Sequence, residues 1–544
     1  MFNPNTANFN PMHPRMDPMN ASQFVKFTKP KDSLYTQGVV RKFAYVYDEA
    51  MNNHKCEYDP TQSDVPERTK LIRDRLQADG LLTDAVKVEA RPATDDELAL
   101  VHTKDFIKQI TALSTPDQCE KFCKDKELLW LSPGSEKAAR LAVGGVLELV
   151  KANHEQKIGN AFAIVRPQGH AAWGDQPQAN CIYNNVAIAA RYAVQKLGME
   201  KVVVLDLDVH APVGTYNALR DTVQGSKSKI VLFSVHSYYH GLFWPFTQDY
   251  DCDPKDGNVM FFPLNAPLNS EGEYMAIMNH AILPVLREIK PQMILLSAGF
   301  DSGYADAMFE GGQALRAHGW GHISRDLHEI CPDRVIAVLE GGIIPANITE
   351  SASMLVKGLQ GKPTPRVIHP ERLNGCLVES IFSSLLNCRE RWRCCTRQLE
   401  KLQQQQGKYG FPEFAVPSQR LFLAHGIRDM LDDVKAANLS LTRLFSEPVD
   451  AKMMKMGEMA VESYRRAYLD KENELVPEAF LIEQMLYDEK AKADSYLKAA
   501  GIVNVLYQSF ADFKSGKQNR FLFCDRSTLL AKRNLHKYLE ITRI

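Results

Sequence analysis

The chain has 544 residues, a formal net charge of −1, and 45% hydrophobic and 24% charged residues. That balance is ordinary for a globular protein and sets up no global field toward nucleic acid or an anionic membrane, so neither is an expected partner. No run of about 18 apolar residues occurs, and no membrane-spanning helix is expected.

Residues 1–32 are rich in Asn, Pro and Met and lack the apolar stretch of a secretory leader. Little in them could be buried, so they are expected to be disordered. The eleven cysteines are odd in number and scattered. The close pairs Cys119/Cys123 and Cys394/Cys395 lack a second pair at zinc-finger spacing, which reads as reduced structural thiols. An intracellular protein, of nucleus or cytoplasm, is the expectation.

Residues 33–370 alternate short apolar runs with amphipathic ones. Strands are predicted at 161–165, 201–207, 229–235, 293–297 and 334–339, each apolar on both faces as a buried parallel strand should be. Helices are predicted between them at 135–152, 185–197, 273–289 and 319–329. This alternation predicts an α/β fold, a parallel sheet with helices on both faces. Ligands of such sheets bind at the carboxyl ends of the strands. Residues 371–544 lose the strand runs, carry glutamines at 403–406 and a turn cluster at 407–417, then read as amphipathic helices from Arg420 onward. A helical extension packed on the core or on a partner is expected there, and no chemistry is legible in it.

The run 201–207 leads straight into Asp208-Val209-His210. Residues i and i+2 of an extended segment point to the same side, so this Asp and His can grip one ion together. A second strand ends in Ser297-Ala298-Gly299-Phe300-Asp301, which brings another carboxylate to the same crevice. One imidazole and two carboxylates suit zinc and leave a position open for substrate. A lone Asp-x-His also occurs as a capping or salt-bridged pair; two such strand ends in one α/β pattern bring the metal level with that reading and leave both open.

Longer motifs carry a resemblance. Arg166-Pro167-Gln168-Gly169-His170 and Asn184-Asn185-Val186-Ala187, with Asp206-Leu207-Asp208-Val209-His210 and Leu339-Glu340-Gly341-Gly342, resemble the active-site segments of histone (lysine) deacetylases. Val65-Pro66-Glu67-Arg68 and Ala93-Thr94-Asp95-Asp96-Glu97-Leu98, followed by His102, are similar to the class II amino-terminal segment. The likeness covers roughly residues 35–365. It implies an arginase–deacetylase fold, zinc held by Asp208, His210 and Asp301, and hydrolysis of acyl-lysine amides in proteins such as histones. It also implies a buried monovalent cation, K+, at Asp206 and Ser234, and partners among deacetylase complexes.

The chain departs from that pattern where protons move. The family's tandem histidines read His170-Ala171 here, and alanine transfers no proton. His170 keeps its expected partner Asp206, which makes this pair the one remaining base. The polar residue that supports the second histidine in the family falls at Val213, and the family's oxyanion donor falls at Ile343. Losing an oxyanion donor costs about 10²–10³ in rate and a general acid–base about 10²–10⁴. One aromatic wall of the acyl channel is matched by Phe243, but the opposite wall falls at Asn180; Trp173 and Tyr183 are nearby rings that could replace it. Three readings stay open: a deacetylase-like protein with weak or absent hydrolysis kept for acyl-lysine binding or scaffolding, an active zinc deacylase using His170–Asp206, and another amidohydrolase on the same fold.

Overall fold

Eight strands form one parallel sheet in a computed structural model of the chain. The structure describes residues 41–412, apart from 57, 59–63, 127, 226, 242, 253, 255–256, 267, 304–305, 307–311, 368–372 and 409–410. The expectations for 1–32, for the end of the 407–417 turn cluster and for the helices after Arg420 lie outside the described residues.

The strands are β1 (Ala44–Val46), β2 (Val86–Lys87), β3 (Ala161–Ala163), β4 (Val202–Asp206), β5 (Ile230–Ser237), β6 (Val259–Leu264), β7 (Met293–Ala298) and β8 (Val335–Leu339). Their order across the sheet is β2-β1-β3-β8-β7-β4-β5-β6, and every pairing is parallel. The five predicted strands are all present. β1 and β2 are too short to show a period, and Pro263 interrupts the donor pattern of β6, so sequence periodicity missed these three.

Each long strand is buried along its whole length, with apolar residues on both faces, because both of its sides are covered. Val202 and Val204 face one side with Leu295, Ile336 and Val338; Val203 and Leu205 face the other with Ile294, Leu296 and Ala337. Helices Ser135–His154, Asn185–Gln195 and Val213–Val223 cover the first side. Helices Glu67–Ala78, Ala317–Ile330 and Pro345–Leu359 cover the second. This is the arginase–deacetylase-like α/β architecture.

The predicted helix 273–289 is a composite: Glu271–Ile277, a π turn at Met278–Ile282, then Leu283–Ile289. Pro284 explains the break, since it lacks an N–H for an ordinary helical bond and its ring crowds the preceding turn. Beyond residue 370, helices Gly375–Cys388 and Arg393–Gln405 bury Leu377, Ile381 and Leu402 in the same core as Phe233 and Phe262. Among the described residues, no helix is long and apolar enough to cross a membrane.

Candidate functional site

The four central strands β3, β8, β7 and β4 lie side by side, and the segments leaving their carboxyl ends carry His170, Glu340, Asp301 and Asp208. Adjacent strands thus bring together residues far apart in sequence, at the place where parallel α/β sheets bind ligands.

Asp208, His210 and Asp301 converge. One ligand atom from each lies within 4.8 Å of the others. His210 Nδ1 is 3.1 Å from Asp208 Oδ1 and 3.3 Å from Asp301 Oδ2. Backbone donors aim the carboxylates: Gly341 N–H donates to Asp208 Oδ2, His210 N–H to Asp208 Oδ1 and Val209 N–H to Asp301 Oδ1, each at 2.9 Å. Both carboxylates are buried, whereas the His210 side chain is 26% exposed, which leaves one side of the triad accessible. Burial opposes ionisation of Asp208, yet the charge of His170 and the bond with His210 hold its carboxyl well below the usual range. Three converging donors with an accessible side fit a divalent ion.

Two glycines make room for this convergence. A Cβ on Gly299 would collide with the Asp208 carboxylate, and one on Gly341 with Asp301 Oδ2 and Asp208 Oδ2. Gly299→Ala and Gly341→Ala are therefore expected to displace the carboxylates and strip bound metal. Metal analysis checks this, and stoichiometric metal in both variants would contradict it.

Beside the triad, His170 and Asp206 pair as expected. His170 Nδ1 lies 3.3 Å from Asp206 Oδ2, and its Nε2 is 3.6 Å from Asp208 Oδ1. Glu340 Oε2 accepts from the backbone N–H groups of Gly169 (2.8 Å) and His170 (3.2 Å) and so fixes this turn. Burial works against charging His170, but Asp208 and Asp206 outweigh it and push its pKa up to about 10. A divalent cation in the triad would offset Asp208 and draw His170 back toward the neutral form, the form a base requires. Burial also lifts Glu340 to about 7, against the pull of His170.

Asp206 and Ser234 are register partners on β4 and β5. Ser234 Oγ bonds His236 Nδ1 at 2.8 Å, and His236 Nε2 bonds the Tyr250 carbonyl at 2.9 Å. A carbonyl only accepts, so Nε2 carries the hydrogen and, in the neutral ring, Nδ1 accepts from the serine hydroxyl. The serine oxygen keeps lone pairs for a further partner.

Ala171 is fully buried; its N–H donates to Cys181 Sγ at 3.4 Å and its carbonyl accepts from Gln178 Nε2 at 3.0 Å. The first turn of helix Val213–Val223 presses on it, because any side chain at Gly214 would strike the Ala171 backbone. The residue after Val213 thus lies against the backbone of Ala171, and both apolar positions, 171 and 213, are buried. The backbone N–H of Ile343 is held by Asp306 Oδ1 at 2.8 Å. Phe243 stacks on His210 with centroids 5.2 Å apart and 22° between planes, and Trp244 meets the same ring edge-on at 6.1 Å.

Of the two rings considered as replacements for the wall at Asn180, Tyr183 is not available. It is 1% exposed and packs edge-on against His102 and Phe106 in the core. Trp173 is only partly buried, in a short bridge with Gln176. Asn180 itself has φ 60°, a conformation asparagine tolerates, and its N–H donates to Leu128 O at 2.9 Å. Sequence reasoning did not single out Gln178, Cys181 or Asp306, whose roles depend on irregular loop contacts with backbone 7, 10 and 37 residues away.

Fold and site together define a histone deacetylase domain, and the chain belongs to that family: the histone deacetylase domain model matches residues 62–359. Polyamine deacetylase HDAC10 of Homo sapiens is 33% identical over 366 residues, which cover 65% of this chain and 53% of that protein. Histone deacetylase 18 of Arabidopsis thaliana is 32% identical over 330 residues, 59% of this chain and 47% of that one. The chain thus spans about half the length of the curated relatives it matches. The crystal structure of the HDA15 HD domain superposes with a TM-score of 0.59 at 25% identity, covering 67% of this chain and 99% of that one.

Proposed function

We propose that this is a zinc-binding, deacetylase-like protein with weak or absent amide hydrolysis, which binds acyl-lysine proteins such as histones or scaffolds deacetylase complexes inside the cell. In this reading residues 33–370 are the deacetylase-like domain and 371–544 a helical region without an assigned role. One observation carries it: a converging metal triad has His170–Asp206 beside it, while the neighbour of His170 is the buried alanine Ala171 and position 213 is a buried valine, so neither can handle a proton. Zinc held by Asp208, His210 and Asp301 would supply Lewis acidity toward a carbonyl. His170, oriented by Asp206, can hold or accept a proton, but Ala171 cannot donate one to a leaving amine and Ile343 offers no side-chain donor to a developing oxyanion. Phe243, itself 2% exposed, backs the ring of His210, and the exposed part of that ring is the wall an acyl chain can reach. K+ at Asp206 and Ser234 would neutralise charge beneath the site.

The reading predicts ligand binding without turnover. Calorimetry should show a broad hydroxamate binding the zinc-loaded protein, because chelation needs no acid or base, while acyl-lysine peptides turn over far more slowly than with an active relative. Peptide turnover at the relative's rate would instead establish an active deacylase using His170–Asp206. Zinc-loaded protein that takes up no hydroxamate would mean a closed channel. A second reading, hydrolysis of an acylated polyamine, is favoured by the relatives named polyamine deacetylase in Homo sapiens, Mus musculus and Danio rerio. An acetylated polyamine in the same turnover panel distinguishes it.

A further inference from the structure

The loop 169–184 carries His170, Ala171 and Asn180 and returns to its starting point. At its neck, Gly169 sits so close to Tyr183 O and Asn185 N that no Cβ fits there. Within it, Trp173 and Gln176 exchange backbone bonds at 3.2 and 2.7 Å, and Gln178 and Cys181 do the same at 3.2 and 2.8 Å. These bonds shape the loop but do not attach it to the rest of the fold.

Glu340 holds the start of the loop, and the backbone bonds Asn180 N–H to Leu128 O and Thr103 N–H to Gly174 O anchor it further. The side chain that grips both its middle and its return is His102, just before helix Lys104–Thr111. Its ring is 3% exposed, lying against Phe106 and Tyr183. Nδ1 is 3.0 Å from the Gly174 carbonyl, and Asn184 N–H donates to Nε2 at 2.9 Å. A carbonyl only accepts and an amide N–H only donates, so one neutral tautomer satisfies both bonds: hydrogen on Nδ1, lone pair on Nε2. Burial, which outweighs the bond to Gly174, lowers the pKa to about 4 and keeps that neutral form at ordinary pH.

The hold is passed inward. Asn184, gripped through its backbone by His102, donates from Nδ2 to Ala172 O at 2.9 Å and to Thr215 Oγ1 at 3.2 Å. Thr215 N–H in turn donates to His170 O at 2.9 Å. The middle of the loop and its return are tied to one imidazole, and the chain of bonds ends at the backbone of His170.

The geometry points to His102 as a positioning residue for this site, a neutral imidazole that clamps loop 169–184 and so sets His170 and the channel wall at Asn180 against the metal triad. The inference rests on the reading that this site takes a metal-chelating ligand. None of the triad is bonded through His102, so its loss separates ligand affinity from metal content.

The test uses the full chain, zinc-loaded, with His102→Leu, His102→Asn and His102→Gln. Leucine keeps bulk and loses both bonds; asparagine can replace the donor near Nδ1 and glutamine the acceptor near Nε2. His102→Leu is expected to keep its zinc yet bind hydroxamate about tenfold more weakly or worse, the scale of a buried hydrogen bond lost. Amide exchange in 171–184 should quicken, and asparagine and glutamine should each recover part of the affinity. His102→Leu with full zinc, wild-type exchange and an affinity within about twofold of wild type would overturn the inference. Zinc lost together with affinity in all three variants would also overturn it, as a general packing effect. If His102→Leu does not fold, wild-type affinity and exchange in both polar variants would mean that neither bond matters. If zinc-loaded wild type takes no hydroxamate, the site reading fails separately, and unchanged exchange in 171–184 is then what sinks the role of His102.

Discussion

Deacetylation of an acetyl-lysine peptide by the triple variant Ala171→His/Val213→Asn/Ile343→Tyr is expected to exceed wild type by roughly 10³-fold. The size follows from restoring an acid–base group, worth about 10²–10⁴, together with an oxyanion donor, worth about 10²–10³, in a unit whose effects do not multiply. Ala171→His alone should do little. With valine at position 213 its imidazole would lack the polar partner that orients it, so the combined gain should exceed the product of the single effects. Room is the second constraint: Ala171 is fully buried and the turn at Gly214 abuts it. An added ring there should cost about 1–3 kcal/mol by overpacking, visible as a lower melting temperature of each variant. Adding Asn180→Phe would rebuild the channel wall, but at φ 60° phenylalanine is strained by about 1–2 kcal/mol where asparagine is at ease. Folded, zinc-loaded triple and quadruple variants with no activity would show that the site has diverged beyond these four positions.

Asp301→Ala is expected to lower bound zinc from about one per chain to near none, since a three-ligand site cannot spare a ligand. The stability readout is equally direct. Free zinc at about 100 times its dissociation constant should stabilise wild type by about 2.7 kcal/mol, and chelation should remove that increment. Asp301→Ala should show no zinc-dependent shift at all. The substitution also takes the acceptor from Val209 N–H, which Asp301 Oδ1 holds at 2.9 Å. Asp301→Asn keeps an acceptor there without the charge, so it should lose zinc while unfolding closer to metal-free wild type. Wild-type zinc content in Asp301→Ala would remove the triad as the metal site.

Much of the site was legible because its chemistry is written at strand ends. Asp208 and His210 stand two apart on one extended segment, so their shared direction follows from backbone geometry alone. Asp301 follows a glycine that leaves a strand, which is a local signal too. The glycines themselves were visible as residues, but their purpose was not: Gly341 matters because it lies against carboxylates from two other strands. The placement of Tyr183 was likewise illegible, since an aromatic three residues from the channel position Asn180 can point to the core or to the channel, and here His102 and Phe106 claim it.

The amino-acid sequence alone determined five of the eight strands, four of the helices between them and the shared direction of Asp208 and His210. These rest on signals that local chemistry carries: continuous apolar runs, helical periodicity and short fixed spacings. Only the tertiary structure decided the strand order, which sets β7 between β4 and β8 and so carries Asp301 to Asp208. Only it decided that the turn holding Val213 and Gly214 lies against the backbone of Ala171, that strands β1, β2 and β6 exist, and that Pro284 turns one helix into a π-bulged one. Pairing of parallel strands, and the corners where distant loops meet, are long-range choices made by burying two faces of one sheet at once, and no short window of sequence contains them.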